Sequence, residues 1–143
     1  MPLGKVFARI ILDWVCHHLL EHQRPEQSGF TPKRSTIDRI LALRVLTERR
    51  REFRQGLLAA YVDLCKAFDS ANRDALWRIL SFRGVPPKFI DLTSELYSGT
   101  ESAVRCDGYI SNLFPVVTGV CQACVLAPTL FSTCMDWMLG EDV

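Results

Sequence analysis

The sequence of 143 residues predicts an α+β fold, mostly helical with a few antiparallel strands. Three observations lead to that class. Apolar residues recur at steps of three and four in several separate stretches, which is the period of a helix buried on one face. One short, almost wholly apolar run at 57–64 has the length of a buried strand. Asp107-Gly108, set within a loosely alternating stretch, is a two-residue hairpin signal. Turn residues fall in short punctuations with no linker between them, so the chain reads as one unit, 1–143, able to bury one core.

The first element follows from the apolar stripe of Val6, Ile10, Ile11, Trp14, Val15, Leu19 and Leu20, a helix over 5–21. Residues 23–34 are polar and carry Pro25, Gly29 and Pro32, which predicts a loop. Ser35 and Asp38 have capping-box spacing, and Ile37, Ile40, Leu41 and Val45 continue at helical intervals. That helix should reach about Phe53 before Gly56 breaks it. The run 57–64 then suits a buried strand that ends by delivering Asp63. Asn72 can cap a helix that turns Leu76, Trp77, Ile79 and Leu80 inward and closes at Gly84. Pro86-Pro87 opens another, closed by Gly99. The hairpin around Asp107-Gly108 follows, and Pro128 is placed to start a last helix through Leu130, Phe131, Cys134, Met135 and Met138.

Composition excludes several classes. A hydrophobic share of 48% and a charged share of 23% belong to a core-forming chain, not a disordered one. Net charge is +1, but its distribution is uneven: residues 1–56 carry 11 Lys+Arg against 6 Asp+Glu, and residues 57–143 carry 6 against 10. A basic part followed by an acidic part suits a protein that meets a polyanion with one region and cations with the other. The alternative is a solvated helix face, since Arg49, Arg50 and Arg51 supply much of the excess. The segment 6–20 carries Arg9, Asp13 and two histidines, so it is neither a signal peptide nor a membrane span. An intracellular chain with reduced cysteines is expected, cytoplasm and nucleus being indistinguishable.

The stretch 60–70, AYVDLCKAFDS, concentrates the chemistry. A carboxylate at the end of an apolar strand is fixed yet reachable, and magnesium needs such hard oxygen ligands. Taken alone, the pattern more often means that Asp63 merely caps a turn or pairs with Lys66. Cys121 and Cys124 form a lone C-x-x-C, a spacing used by zinc sites and redox centres. A structural zinc site needs four ligands and there is no second pair, so all six cysteines are expected to be buried free thiols.

Residues 60–70 resemble motif A of the reverse transcriptases of LINE-type non-LTR retrotransposons: an apolar strand, Asp, then Lys-Ala-Phe-Asp. Three further blocks are similar to the same family in the same order. Gln27-Ser-Gly-Phe30 with 33–38 resembles its fingers block. Leu76-Trp77, Gly84-Val-Pro86 and Leu96-Tyr97 resemble the helical stretch after motif A. Gly119-Val-Cys-Gln122, with 124–128 and Leu130-Phe131, resembles motif B.

The resemblance implies the fingers (1–56) and part of the palm (57–143) of a right-hand polymerase, a nucleotidyltransferase that copies an RNA template onto a DNA primer. Asp63 would be the catalytic aspartate bridging two Mg²⁺ ions, with the carbonyl of Leu64 as a further ligand. Phe68 would be the steric gate against a ribose 2′-hydroxyl; taken without the motif it is a core aromatic. Lys33 and Arg34 would hold phosphates of the deoxynucleotide triphosphate or template, where composition alone makes them solvated surface charges. Gln122 would lie near the templating base and incoming nucleotide. No membrane partner is implied, and oligomeric state is left open.

Two departures stand out. Motif B commonly reads Gly-Val-Arg-Gln-Gly-Cys, whereas this chain has Cys121 for the arginine and Ala123 for the second glycine. The second aspartate pair of the family, motif C, is absent from these 143 residues; Asp136 lies in a helical stretch, and Glu141 and Asp142 are terminal. One carboxylate does not hold two ions about 4 Å apart, so this chain alone is expected not to polymerise DNA. It is expected to be marginally stable, with an unpaired strand edge. A non-enzymatic nucleic-acid-binding remnant and a helical interaction module are the alternatives.

Overall fold

The capping box expected at Ser35 and Asp38 forms: the Asp38 amide donates to Ser35 Oγ at 3.2 Å, and the Ser35 amide donates to Asp38 Oδ2 at 2.8 Å. These bonds hold the Asp38 carboxyl below its usual range, with the backbone bond from Ser35 the leading cause. They begin the second of the six helices among the described residues. The computed structural model describes residues 2–122 and 124–140. In order, the elements are α1 (Pro2–Glu21), α2 (Thr36–Glu52), α3 (Ala67–Ser70), α4 (Arg73–Phe82), α5 (Pro87–Tyr97), β1 (Glu101–Ser102), β2 (Arg105–Cys106), β3 (Tyr109–Ile110), β4 (Phe114–Pro115) and α6 (Ala127–Met138).

The expected terminators act as their chemistry dictates. Asn72 Oδ1 accepts from the Ala75 amide at 2.9 Å and starts α4. Gly84 and Gly99 end α4 and α5 at φ +79° and +61°, backbone that only glycine adopts without strain. Asp107 and Gly108 both have positive φ, as a tight hairpin turn requires. β2 and β3 flank it, pairing Arg105 with Ile110 and Cys106 with Tyr109. β1 and β4 pair farther from the turn, Glu101 opposite Pro115. The two antiparallel ladders make one exposed arm.

The core lies where α1 packs on α5, α5 on α4 and α4 on α6. α1 supplies Ala8, Ile11, Val15 and Leu19, α4 supplies Leu76 and Leu80, and α6 supplies Ala127 and Leu130. Full burial of a leucine stabilises by about 1.5–3 kcal/mol, so these few positions carry much of the fold. Trp77 meets Tyr97 edge-on with centroids 5.9 Å apart.

Three expectations need correction. First, 57–64 is not a strand, and it is exposed: Tyr61 keeps 86% and Val62 80% of its surface. Among the described residues none of the backbone hydrogen bonds involves 56–65. A strand exists only beside another, and the four short strands present pair among themselves. Second, α2 buries none of its residues; its apolar side chains at 37, 40, 41 and 45 face solvent because, among the described residues, no other element packs closely on it. Third, Val6, Ile10 and Trp14 of α1 are exposed, since α5 covers only one side of that helix. Trp14 keeps one neighbour there, stacking on Phe89 at 5.8 Å.

Candidate functional site

Two distant stretches of the chain meet through their backbones. The Gly119 amide donates to Ala71 O and the Val120 amide donates to Phe68 O, both at 2.8 Å. Gly119 has φ +80°, and a Cβ there would stand 2.7 Å from Asp69 Cα, Asp69 O and Phe68 O. Only glycine lets the strand of chain entering the 119–128 block lie directly on α3. Arg73, at the start of α4, secures the crossing. Its Nε donates to Gly119 O at 2.9 Å and its Nη1 to Tyr97 O at 2.8 Å, and the guanidinium lies 5.2 Å from the Tyr97 ring centroid.

This crossing places Phe68 and Gln122 on one open cleft of about 560 Å³, with Cys124, Val125, Ala127 and Pro128 as its other walls. Phe68 is half-buried. Its ring stacks on Phe131 of α6, centroids 4.5 Å apart at 21°, and meets Phe30 edge-on at 6.0 Å. Phe30 comes from the 23–34 loop, which is held in place: Gln23 Nε2 donates to Thr31 Oγ1 at 2.7 Å, and Ser132 Oγ donates to Gly29 O at 3.0 Å. One aromatic side chain from each of three expected motif blocks therefore meets at Phe68, the one of the three that lines the cleft.

Other expected residues stand apart from it. Lys33 and Arg34 are exposed on the 23–34 loop, and Arg34 lines a separate hollow of about 260 Å³ with Gln23, Gln27 and Thr31. Asp63 is exposed within the irregular 57–64 segment, and Leu64 lines a larger groove of about 850 Å³ between α4 and α6. Neither lines the Phe68–Gln122 cleft. Among the described residues no three His, Cys, Asp or Glu converge where they could hold a metal ion. The donor set as placed does not fit a divalent cation. Ala123, Glu141 and Asp142 lie outside the described residues.

The cysteines are less buried than expected. Cys65 and Cys106 are exposed, and Cys16, Cys121, Cys124 and Cys134 are half-buried. Burial raises the Cys134 thiol to about 11. Tyr97 is 2% exposed, and burial pushes its hydroxyl upward, reinforced by the neighbouring Cys124. No described group hydrogen-bonds that hydroxyl.

Sequence reasoning missed the most buried charge. Asp136 Oδ1 accepts from Arg24 Nε at 3.0 Å, and Oδ2 accepts from Arg83 Nη2 at 2.5 Å. Burial would raise this carboxyl, but the two arginine hydrogen bonds outweigh it and hold it below its usual range. The triad ties the 23–34 loop and the end of α4 to α6. A signal was present: Asp136 is the single charged residue of α6, and an acid on an apolar helix needs a partner. Nothing in sequence pointed to Arg24, 112 positions away.

No described helix is long and apolar enough to cross a membrane. No solved structure matches the chain. Residues 1–141 match the family described as Reverse transcriptase (RNA-dependent DNA polymerase). The chain is 30% identical over 115 residues to a retrovirus-related Pol polyprotein from type-2 retrotransposable element R2DM of Drosophila melanogaster, covering 80% of this chain and 11% of that protein. It is 27% identical over 132 residues to an RNA-directed DNA polymerase from mobile element jockey of the same fly, covering 91% of this chain and 14% of that protein. It is 28% identical over 134 residues to the transposon TX1 149 kDa protein of Xenopus laevis, covering 92% and 10%. The chain thus spans between 10% and 14% of the length of these three relatives. The match over 1–141, together with these relatives, makes this chain a member of the reverse transcriptase family, of the kind found in non-LTR retrotransposons.

Proposed function

We propose that the cleft walled by Phe68 and Gln122 receives the sugar and base of a deoxynucleotide at the end of a template–primer duplex. The observation that carries this reading is their shared cleft, built by residues 69 and 119 in backbone contact. An aromatic ring stacked on Phe131 and met edge-on by Phe30 is held rigid, which a ring that excludes a 2′-hydroxyl must be. Gln122, exposed on the same cleft, has an amide able both to donate and to accept toward a base edge. Lys33, Arg34 and the arginines of α2 supply the sequence-independent attraction to phosphates of the RNA template and DNA primer.

In the intact family enzyme the reaction is RNA-templated DNA synthesis with Mg²⁺. The same reading gives Asp63 and the carbonyl of Leu64 to the metal once 57–64 pairs as a strand. With that segment unpaired and no second aspartate pair among these residues, the chain alone binds template and nucleotide without extending a primer. A single titration set tests this. The chain should bind an RNA–DNA primer-template in a salt-dependent way, Phe68→Ala and Gln122→Ala should weaken nucleotide retention, and primer extension with Mg²⁺ should be nil. Extension that Asp63→Asn abolishes would overturn the inactivity, and no binding at low salt would favour a protein-interaction module instead.

A further inference from the structure

We propose that Cys121 and Cys124 form a redox-active dithiol that closes to a disulfide across the 121–124 turn. The Cys124 amide donates to Cys121 O at 3.0 Å, an i to i+3 turn bond. Such turns hold their end α-carbons within about 7 Å, and a disulfide bridges α-carbons about 4.4–6.8 Å apart. Both side chains are half-buried against the same core. Both residues also lie beside the buried hydroxyl of Tyr97. Among the described residues no third His, Cys, Asp or Glu joins them to make a metal site, so the pair is left with thiol–disulfide chemistry.

The two thiols have different roles. Cys124 lines the open cleft and is the one a soluble oxidant meets first. Cys121 does not line that cleft and serves as the resolving group; burial raises its thiol, partly offset by the nearby Arg73 cation. With a small disulfide such as oxidised glutathione, deprotonated Cys124 attacks one sulfur, the S–S bond of the oxidant breaks, and one glutathione thiolate leaves and takes up a proton. Deprotonated Cys121 then attacks Cys124 Sγ and expels the second glutathione. The pair loses two electrons and two protons; the oxidant gains both. Closure would lock the turn that carries Gln122, an effect on nucleotide binding that rests on the cleft reading above. Formation of the disulfide does not.

The test exposes the full 143-residue chain to oxidised glutathione, blocks remaining thiols by alkylation, and maps every cysteine by mass spectrometry without reduction. The expected result is loss of both alkylatable thiols at 121 and 124 through an intrachain bond, with Cys16 and Cys134 still alkylated. Cys121→Ser should instead strand Cys124 as a stable glutathione adduct. Free thiols at both positions while exposed Cys65 and Cys106 react would overturn the proposal. So would a Cys124–Cys134 bond, a lasting adduct on Cys124 of the unsubstituted chain, or equal 121–124 pairing in the urea-unfolded chain. If the disulfide forms but nucleotide binding is unchanged, the cleft reading fails and the dithiol stands.

Discussion

Asp136 and Arg83 form an ion pair at 2.5 Å with the carboxylate only 1% exposed. Arg24 completes it from the other side. Removing one member of a buried pair leaves an uncompensated charge, which commonly costs about 3–5 kcal/mol. Arg24 keeps over a third of its surface and can turn to water, so Asp136→Asn should cost near the lower end, about 3 kcal/mol. Urea melts read this directly. A loss below about 1 kcal/mol would show that the triad is replaceable.

The same residue sets an acid limit. Its carboxyl is held below the usual value of 3.8 by the arginines. The unfolded chain therefore binds the proton more readily, and the stability it contributes is complete above the unfolded value. That contribution drains away as the pH falls through the ordinary carboxylate range toward the lower folded value. Melting temperature of the natural chain should drop across that window more steeply than that of Asp136→Asn. Parallel profiles would assign acid lability to other carboxylates.

Gly119→Ala should be among the most damaging small substitutions in the chain. The new methyl would meet three backbone atoms at 2.7 Å on a residue with φ +80°. The expected cost is upward of about 2 kcal/mol, more than conformation alone. Gly108→Ala separates the two causes, since φ is +85° but nothing lies within 4 Å; it should cost about 1 kcal/mol. Gly56→Ala, with open space and no positive φ, should be neutral or slightly stabilising. Equal effects at 119 and 108 would contradict the tight crossing.

The bare segment at 57–64 should govern association. Leu58, Tyr61 and Val62 are exposed beside an α2 with no buried residue. Apolar runs of that kind with free backbone groups seed intermolecular pairing. Val62→Lys should lower the light scattering of concentrated chain while leaving the melting temperature within about 0.5 kcal/mol of stability change. A clear fall in stability would mean that Val62 is packed.

Phe68→Leu should keep the chain folded and lose the two ring contacts, at a cost of about 1–2 kcal/mol. On the cleft reading it should also narrow the preference for deoxynucleotide over ribonucleotide in binding. An unchanged preference would return Phe68 to a purely structural role.

Local signals in the sequence settled the parts of this protein that depend on local physics. Ser35, Asn72, Pro87, Asp107 and the glycines at 84 and 99 act through neighbours within a few positions, so these helix starts and ends and the hairpin were legible, whereas the single turn of α3 was not. The ordered blocks at 27–38, 60–70 and 119–131 were legible as a family pattern, which the match over 1–141 bears out.

Tertiary structure alone decided which stretches meet. Periodicity says that a face is apolar but not whether anything covers it, so α2 and 57–64 stand open despite their apolar side chains. It also could not reveal that Gly119 rests on Asp69, that Arg24 and Arg83 converge on Asp136, or that Phe68 and Gln122 share a cleft while Asp63 stands outside it. Those relations join residues tens of positions apart. Local propensity ends within a turn or two, and only packing closes such distances.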